Sequence, residues 1–179
     1  MNKSSENSDE VIIDQDIEDI AITNREDVHI QIHQGEYRRL NEDEREVVRE
    51  KGQRFTLTIE EPYVCFYNNY RLNIPKGFMS DGATSAPDLG IAWMFHDWLY
   101  YTHKCIEIDR ETGEEKEVEV SRKLADDFLL DIMRIEGYTF LSWIYKKVFR
   151  WNLLGKPSKG WNKSGRTGPT LYDDLFYTG

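Results

Sequence analysis

From Arg54 the chain alternates with a period of two: Phe55, Leu57 and Ile59 interleave with Thr56, Thr58 and Glu60. That is the pattern of a half-buried strand. Tyr63-Val64-Cys65-Phe66-Tyr67 predicts a second strand, Asn68-Asn69 a turn, and Tyr70-Arg71-Leu72-Asn73-Ile74 a third strand that stops at Pro75. Together they predict a small antiparallel sheet. Residues 75–87 carry Gly and Pro at both ends, which predicts a loop.

The period then changes. From about Leu89 to Thr102 apolar residues (Ile91, Ala92, Trp93, Met94, Phe95, Trp98, Leu99) lie nearly all round the helical wheel, as in a buried helix. Only His96 and Asp97 are strongly polar in its middle. Ile106 and Ile108 alternate with Glu107 and Asp109, and Val118 and Val120 flank Glu119, on either side of Glu111-Thr112-Gly113-Glu114. This predicts an exposed acidic hairpin between two helices. Ser121 can cap a second helix that runs to Glu136 and stops at Gly137, with Leu124, Phe128, Ile132 and Ile135 as its apolar stripe. A third helix, Phe140 to about Trp151, mixes Leu141, Ile144 and Val148 with Lys146, Lys147 and Arg150. The expected class is α+β: a small antiparallel sheet, then a three-helix core in which two antiparallel helices carry the polar residues singled out below.

The ends differ in composition. Residues 1–45 are acidic and poor in aromatics, which predicts a flexible arm or, through Val11-Ile12-Ile13, Ile17, Ile20 and Ile22, a docking segment. Residues 46–154 form the expected globular domain. Residues 155–179, rich in Gly with scattered Trp161, Tyr172, Phe176 and Tyr177, predict an irregular strap.

Charge narrows the function classes. The chain of 179 residues has a net charge of -10, so it has no general attraction to nucleic acid or anionic lipid. Its positive charge is concentrated late: residues 140–179 hold seven Lys and Arg against two Asp. No run reaches the roughly 18 apolar residues of a membrane span. Met1 to Glu10 lacks the apolar core of a secretory signal, so secretion by that route is not expected. Cys65 and Cys105 are expected to be reduced thiols.

The chemistry lies on the first two helices. Burying an imidazole and carboxylates costs several kcal/mol, roughly, unless they pair with each other or a metal. Helical phase separates the adjacent acids of the second helix. Asp127 aligns with Lys123, Asp131 and Arg134 on the wet face, whereas Asp126 aligns with Leu129, Leu130 and Met133 at the edge of the buried one. Asp126 is therefore the expected partner of His96, where it would fix the tautomer and raise the basicity of a water-activating base. Tyr100, one turn after His96, can donate to the same carboxylate. Asp97 points about 100° away and is free to hold a cation.

His96-Asp97-x-x-Tyr100, followed by Ala125-Asp126 on the next helix, resembles the phospholipase A₂ superfamily, especially its short viral members. A closer resemblance joins three strings: Ile74-Pro75-x-Gly77-Phe78-x-x-Asp81-Gly82-Ala83-Thr84-Ser85-x-Pro87, His96-Asp97-x-Leu99-Tyr100 and Ser121-Arg122-x-x-Ala125-Asp126. This combination resembles a family of uncharacterised proteins common in bacteriophages and found in other viruses and bacteria. It covers roughly residues 55 to 150 and implies a viral or phage protein. The phospholipase resemblance implies that His96 is the base, Asp126 orients it, Tyr100 supports Asp126, and Asp97 binds a calcium that stabilises the oxyanion. The other calcium ligands would come from the loop Ser80 to Ser85, Gly82 included. That loop departs from the family, with one glycine where the family has several and an extra acid, Asp81. Asp81 is either a calcium ligand or a turn-capping residue. The disulfides of secreted members are also missing.

Two principal readings follow. One is a calcium-dependent phospholipid hydrolase, with Trp93, Trp98, Trp143 and Trp151 as a candidate membrane patch beside Lys146 and Lys147; the competing reading puts at least half of these tryptophans in the core. The other is a non-enzymatic virion or interaction protein that docks through its arm and strap, with the His-Asp pair as a buried polar network. Either would place the protein in the virion or the host cytoplasm. A His-Asp metal phosphohydrolase ranks last, because only His103 is placed to add a ligand.

Overall fold

The computed structural model describes residues 19–25, 28–33, 35–82, 91–151, 159, 161–163 and 168–177. Its strands are β1 (Asp19–Arg25), β2 (Val28–His33), β3 (Glu36–Arg39), β4 (Leu57–Glu61), β5 (Tyr63–Tyr67), β6 (Tyr70–Ile74), β7 (Met79–Ser80), β8 (Lys104–Ile108) and β9 (Glu115–Glu119). The helices are α1 (Glu42–Glu50), α2 (Ile91–Thr102), α3 (Arg122–Ile135), α4 (Thr139–Trp151) and α5 (Tyr172–Phe176). The class is α+β. The sheet is larger than its central hairpin suggests: one antiparallel sheet runs β1-β2-β5-β6-β8-β9 and a smaller one runs β3-β4-β7.

The β5–β6 hairpin keeps the register its alternation dictates, Tyr63 opposite Ile74 and Tyr67 opposite Tyr70. Asn68 turns the chain at φ 56°, a left-handed conformation that asparagine tolerates. Tyr63, Cys65 and Tyr67 point into the core while Val64 and Phe66 stay half-buried. The β8–β9 hairpin does more than join two helices, because β8 pairs with β6 and extends the same sheet. The expected loop after Pro75 contains β7, whose Met79 and Ser80 are buried against β4. Residues 83–87 of that loop, and 88–90 after it, lie outside the described residues.

The N-terminal arm is corrected. Residues 1–18, 26–27 and 34 lie outside the described residues, but residues 28–33 and 35–45 are folded. β2 pairs with β5, and Ile30 and Ile32 enter the main core at 2% and 1% exposure. The reason is local alternation: Val28, Ile30 and Ile32 lie between His29, Gln31 and His33, giving an apolar strand face within an acidic stretch. Gly35 then passes so close to the β4–β5 corner that a Cβ would sit 2.5 Å from Glu61 O. α1 starts with a reciprocal capping box between Asn41 and Glu44.

The main core lies between the large sheet and α2 and α3, with Phe95, Leu99, Phe128, Leu129 and Ile132 facing Cys65, Leu72 and Ile74. A second cluster (Leu40, Val48, Phe55, Met79, Leu175) sits under the small sheet and takes in α5. The C-terminal segment is pinned by Met79 N–H donating to Thr170 O (3.0 Å) and Tyr172 N–H to Gly77 O (2.7 Å). Cys65 and Cys105 are buried free thiols.

Glu44 ties these parts together. Arg38 donates to both of its oxygens at 2.7 Å and Tyr172 Oη donates to Oε1 at 2.7 Å. The Arg38 bonds, outweighing burial and aided by Tyr172 and the Asn41 amide, hold the Glu44 carboxyl down at about 2 against an ordinary 4.5. A folded pKa below the unfolded one stabilises the fold above the unfolded value, and this stability is lost as pH falls through the folded one. Glu44→Gln is therefore expected to flatten the decline in thermal stability between pH 4.5 and 2. Identical acid limbs for variant and wild type would contradict this role.

Candidate functional site

α2 is apolar around most of its circumference, so it is buried between the sheet and α3 and carries His96 inside with it, 6% exposed. α3 is capped by Ser121 Oγ accepting from Leu124 N–H at 3.2 Å. Its apolar stripe turns inward and brings Asp126 to the same place, 4% exposed. Helical phase separates the two acids as expected: Asp127 faces outward and pairs with Lys123.

Asp126 gathers three partners. His96 Nε2 lies 3.3 Å from Oδ1, Tyr100 Oη donates to Oδ1 at 2.7 Å, and Arg122 donates to Oδ2 at 2.9 Å. The ring of His96 is walled by aromatics: Tyr100 at 4.0 Å between centroids, Trp93 edge-on at 5.6 Å and Phe149 of α4 stacked at 5.9 Å. Its second nitrogen, Nδ1, is buried without a hydrogen-bond partner among the described residues. Nδ1 faces Asp97 Oδ1 at 3.9 Å. Burial alone would lower the His96 pKa, but the carboxylates of Asp126 and Asp97, one beside each ring nitrogen, outweigh it and raise it above the ordinary 6.5. Burial, then the Asp126 charge, raises the Tyr100 phenol well above its ordinary value, so Tyr100 stays a donor.

Asp97 is held from the other side. Ser80 donates from Oγ to Asp97 Oδ2 at 2.5 Å and accepts from Gly82 N–H at 3.0 Å, so the β7 strand and the start of the loop are tied to α2. The Asp81 carbonyl accepts from Thr56 Oγ1 at 3.2 Å. Burial first, then the charges of Asp97 and Asp81, push the Tyr101 phenol up to about 12. The donor set at this corner is oxygen, the type calcium takes. Among the described residues no group of three or more His, Cys, Asp or Glu is gathered to hold a metal. A calcium shell there would need backbone carbonyls and water to complete it. Ala83 to Ser85, the rest of the expected loop, lie outside the described residues.

Two of these contacts were not among those expected from the sequence. Arg122 sits four residues before Asp126, a legible helical ion pair. Ser80 meets Asp97 through the tertiary fold, and no spacing signals that contact. His103 does not join the site: it ends α2 at φ 55° and stacks on Trp161 at 3.8 Å. Of the tryptophans, Trp93 is buried, Trp98 packs on Phe78 and Trp143 is 53% exposed; the Trp151 side chain lies outside the described residues. A groove of about 470 Å³ between α3 and α4, lined by Arg122, Lys123, Asp126, Asp127, Leu130, Lys146 and Phe149, opens on the Asp126 side of the site.

No family model, curated protein or solved structure matches this chain.

Proposed function

We propose that this chain is a phospholipase A₂-like ester hydrolase of viral or phage type, acting on phospholipid, with His96 as the base that activates water. One observation carries the reading. The imidazole is held at Nε2 by a carboxylate that Tyr100 and Arg122 also hold, while the opposite nitrogen, Nδ1, is left without a partner and faces Asp97. A base needs one nitrogen fixed and the other without a hydrogen bond of its own, as here, and water has to reach the buried Nδ1 for the reaction to run.

In the proposed reaction Nδ1 takes a proton from water as the oxygen attacks the ester carbonyl. Asp126 stabilises the imidazolium that forms, and Tyr100 and Arg122 keep Asp126 in place. The proton is then returned to the leaving alkoxide, giving a fatty acid and the lysolipid alcohol. Asp97 would hold calcium, which when bound supplies charge stabilisation to the oxyanion. Because Asp126 and Asp97 raise the His96 pKa, turnover is expected to rise with pH as the imidazolium deprotonates, and the assay is run as a pH series.

The test is fatty-acid release from mixed phospholipid vesicles, with calcium and with chelator. Wild type is expected to release fatty acid with calcium, and His96→Ala to lose about 10²–10⁴-fold. Release that ignores both calcium and His96, or none at all, overturns the enzyme reading. The Arg122–Asp126 ion pair favours the second reading, a virion structural or interaction protein, because it completes Asp126 as a self-contained network.

A further inference from the structure

α4 is apolar on two opposite sides. Its inner side is anchored: Leu141, Tyr145 and Phe149 pack on the main core, and Ser142 Oγ donates to Leu130 O of α3 at 2.9 Å. Phe140, Trp143 and Ile144 project the other way, at 71%, 53% and 37% exposure. At 3.6 residues per turn, positions 140, 143, 144 and 147 form one stripe. Phe140 stacks on Trp143 at 6.2 Å, and Lys147 Nζ lies 3.7 Å from the centroid of the Trp143 ring. Lys146 flanks the stripe and is exposed. Scattered apolar residues on a surface need no explanation, but a contiguous aromatic stripe edged by lysines does.

We infer that this outer face of α4 docks on an anionic lipid bilayer, lying in the plane of the interface. Three features favour that occupant. First, charge is complementary: Lys146 and Lys147 are both exposed beside the aromatic stripe, in a chain whose net charge is -10. A negative bilayer attracts these two cations and repels the acidic remainder, which favours docking by this face. Second, the exposed apolar area is on the order of 350 Å², from side chains of roughly 150–250 Å² each. A stable protein interface needs about 800 Å² per partner, so a second copy of this chain would find too little to hold. An interfacial helix needs only a few aromatics and flanking cations. Third, α4 has 13 residues, and no described helix is long and apolar enough to cross a membrane, so it would lie on the bilayer rather than span it.

Docking of this kind gives the proposed hydrolase its access to substrate and rests on that reading for its purpose. The same helix roofs the site, since Phe149 on its inner side stacks on His96. Lipid on the outer face would sit about one helix diameter, roughly 10 Å, above that ring. Lys146 is shared between the basic edge and the groove that leads to Asp126.

The test is flotation of the full chain with vesicles of phosphatidylcholine containing about one-third phosphatidylglycerol, in chelator, beside vesicles of phosphatidylcholine alone. Wild type is expected to float with the anionic vesicles, and the neutral ones to carry far less. Phe140→Ser/Trp143→Ser is expected to lower the partition coefficient at least tenfold. Lys146→Glu/Lys147→Glu is expected to lower it roughly 25-fold or more on anionic vesicles, at about fivefold per lysine charge lost. These four side chains are solvent-exposed, and near-ultraviolet circular dichroism identical to wild type checks that the variants fold. No flotation with anionic vesicles, flotation indifferent to all four substitutions, or a dimer in sedimentation velocity that Phe140→Ser/Trp143→Ser dissolves would each overturn the proposal. His96→Ala should float like wild type. Docking without hydrolysis removes the enzyme reading and leaves this one standing, and hydrolysis without docking does the reverse.

Discussion

Asp126→Ala is expected to lower the free energy of unfolding by about 3–5 kcal/mol, read as a lower urea midpoint at unchanged slope. The size follows from what the truncation leaves behind. Tyr100 Oη and His96 Nε2 lose an acceptor inside the core, and Arg122 loses its counter-ion. Each unmatched buried group costs its own desolvation. A second variant separates stability from function. Replacing the buried polar members together, as His96→Leu/Tyr100→Phe/Asp126→Val, removes the orphaned groups and should recover most of the lost stability. The same triple variant should have no His96-dependent turnover. A loss below about 1 kcal/mol for Asp126→Ala would mean that the cluster is solvated and is not the buried network described above.

Much of that cluster was legible in the sequence because helices impose phase. Asp126 and Asp127 are adjacent, yet one belongs with Leu129 and Leu130 and the other with Lys123, and their burial differs accordingly. The β5–β6 hairpin was legible for a similar reason, with strict alternation on either side of Asn68-Asn69. The N-terminal strands were obscured by averaging. Over 45 residues the acidic composition dominates, whereas the face that matters is three residues long, Val28, Ile30 and Ile32 at alternate positions. The Asn41 to Glu44 capping box was equally local and was hidden by the same acids. Contacts between distant segments had no sequence signal at all. Ser80 meeting Asp97, Trp161 stacking on His103 and Leu171 bridging to Phe78 follow from the whole fold, because no spacing rule relates a loop or a tail to a helix. The outer stripe of α4 lay in plain view as Phe140, Trp143 and Ile144, but a helical wheel with apolar residues on both sides cannot say which side meets the core.

Phe128→Ala is expected to cost about 3–5 kcal/mol, the range for deleting a fully buried aromatic that its neighbours cannot collapse to replace. Its ring is 1% exposed and sits between the sheet and α2, with centroids 4.8 Å from Tyr67 and 5.6 Å from Phe95. Phe95 immediately precedes His96, and Phe128 lies two residues after Asp126. The aromatic contact therefore sets the separation of α2 and α3 at the level where the imidazole meets the carboxylate. A Phe128→Leu variant, which keeps most of the volume, should lose much less. The informative measurement is the double-mutant cycle between Phe128→Ala and Asp126→Ala. If packing holds the two helices at the spacing the polar cluster needs, the cavity loosens that spacing and the Asp126 bonds are already weakened. The double variant should then lose less than the sum of the two single losses, with a coupling of about 0.5–3 kcal/mol. Strict additivity would mean that the aromatic layer and the polar cluster are independent, and that Asp126 and its donors hold α2 to α3 without help from the core.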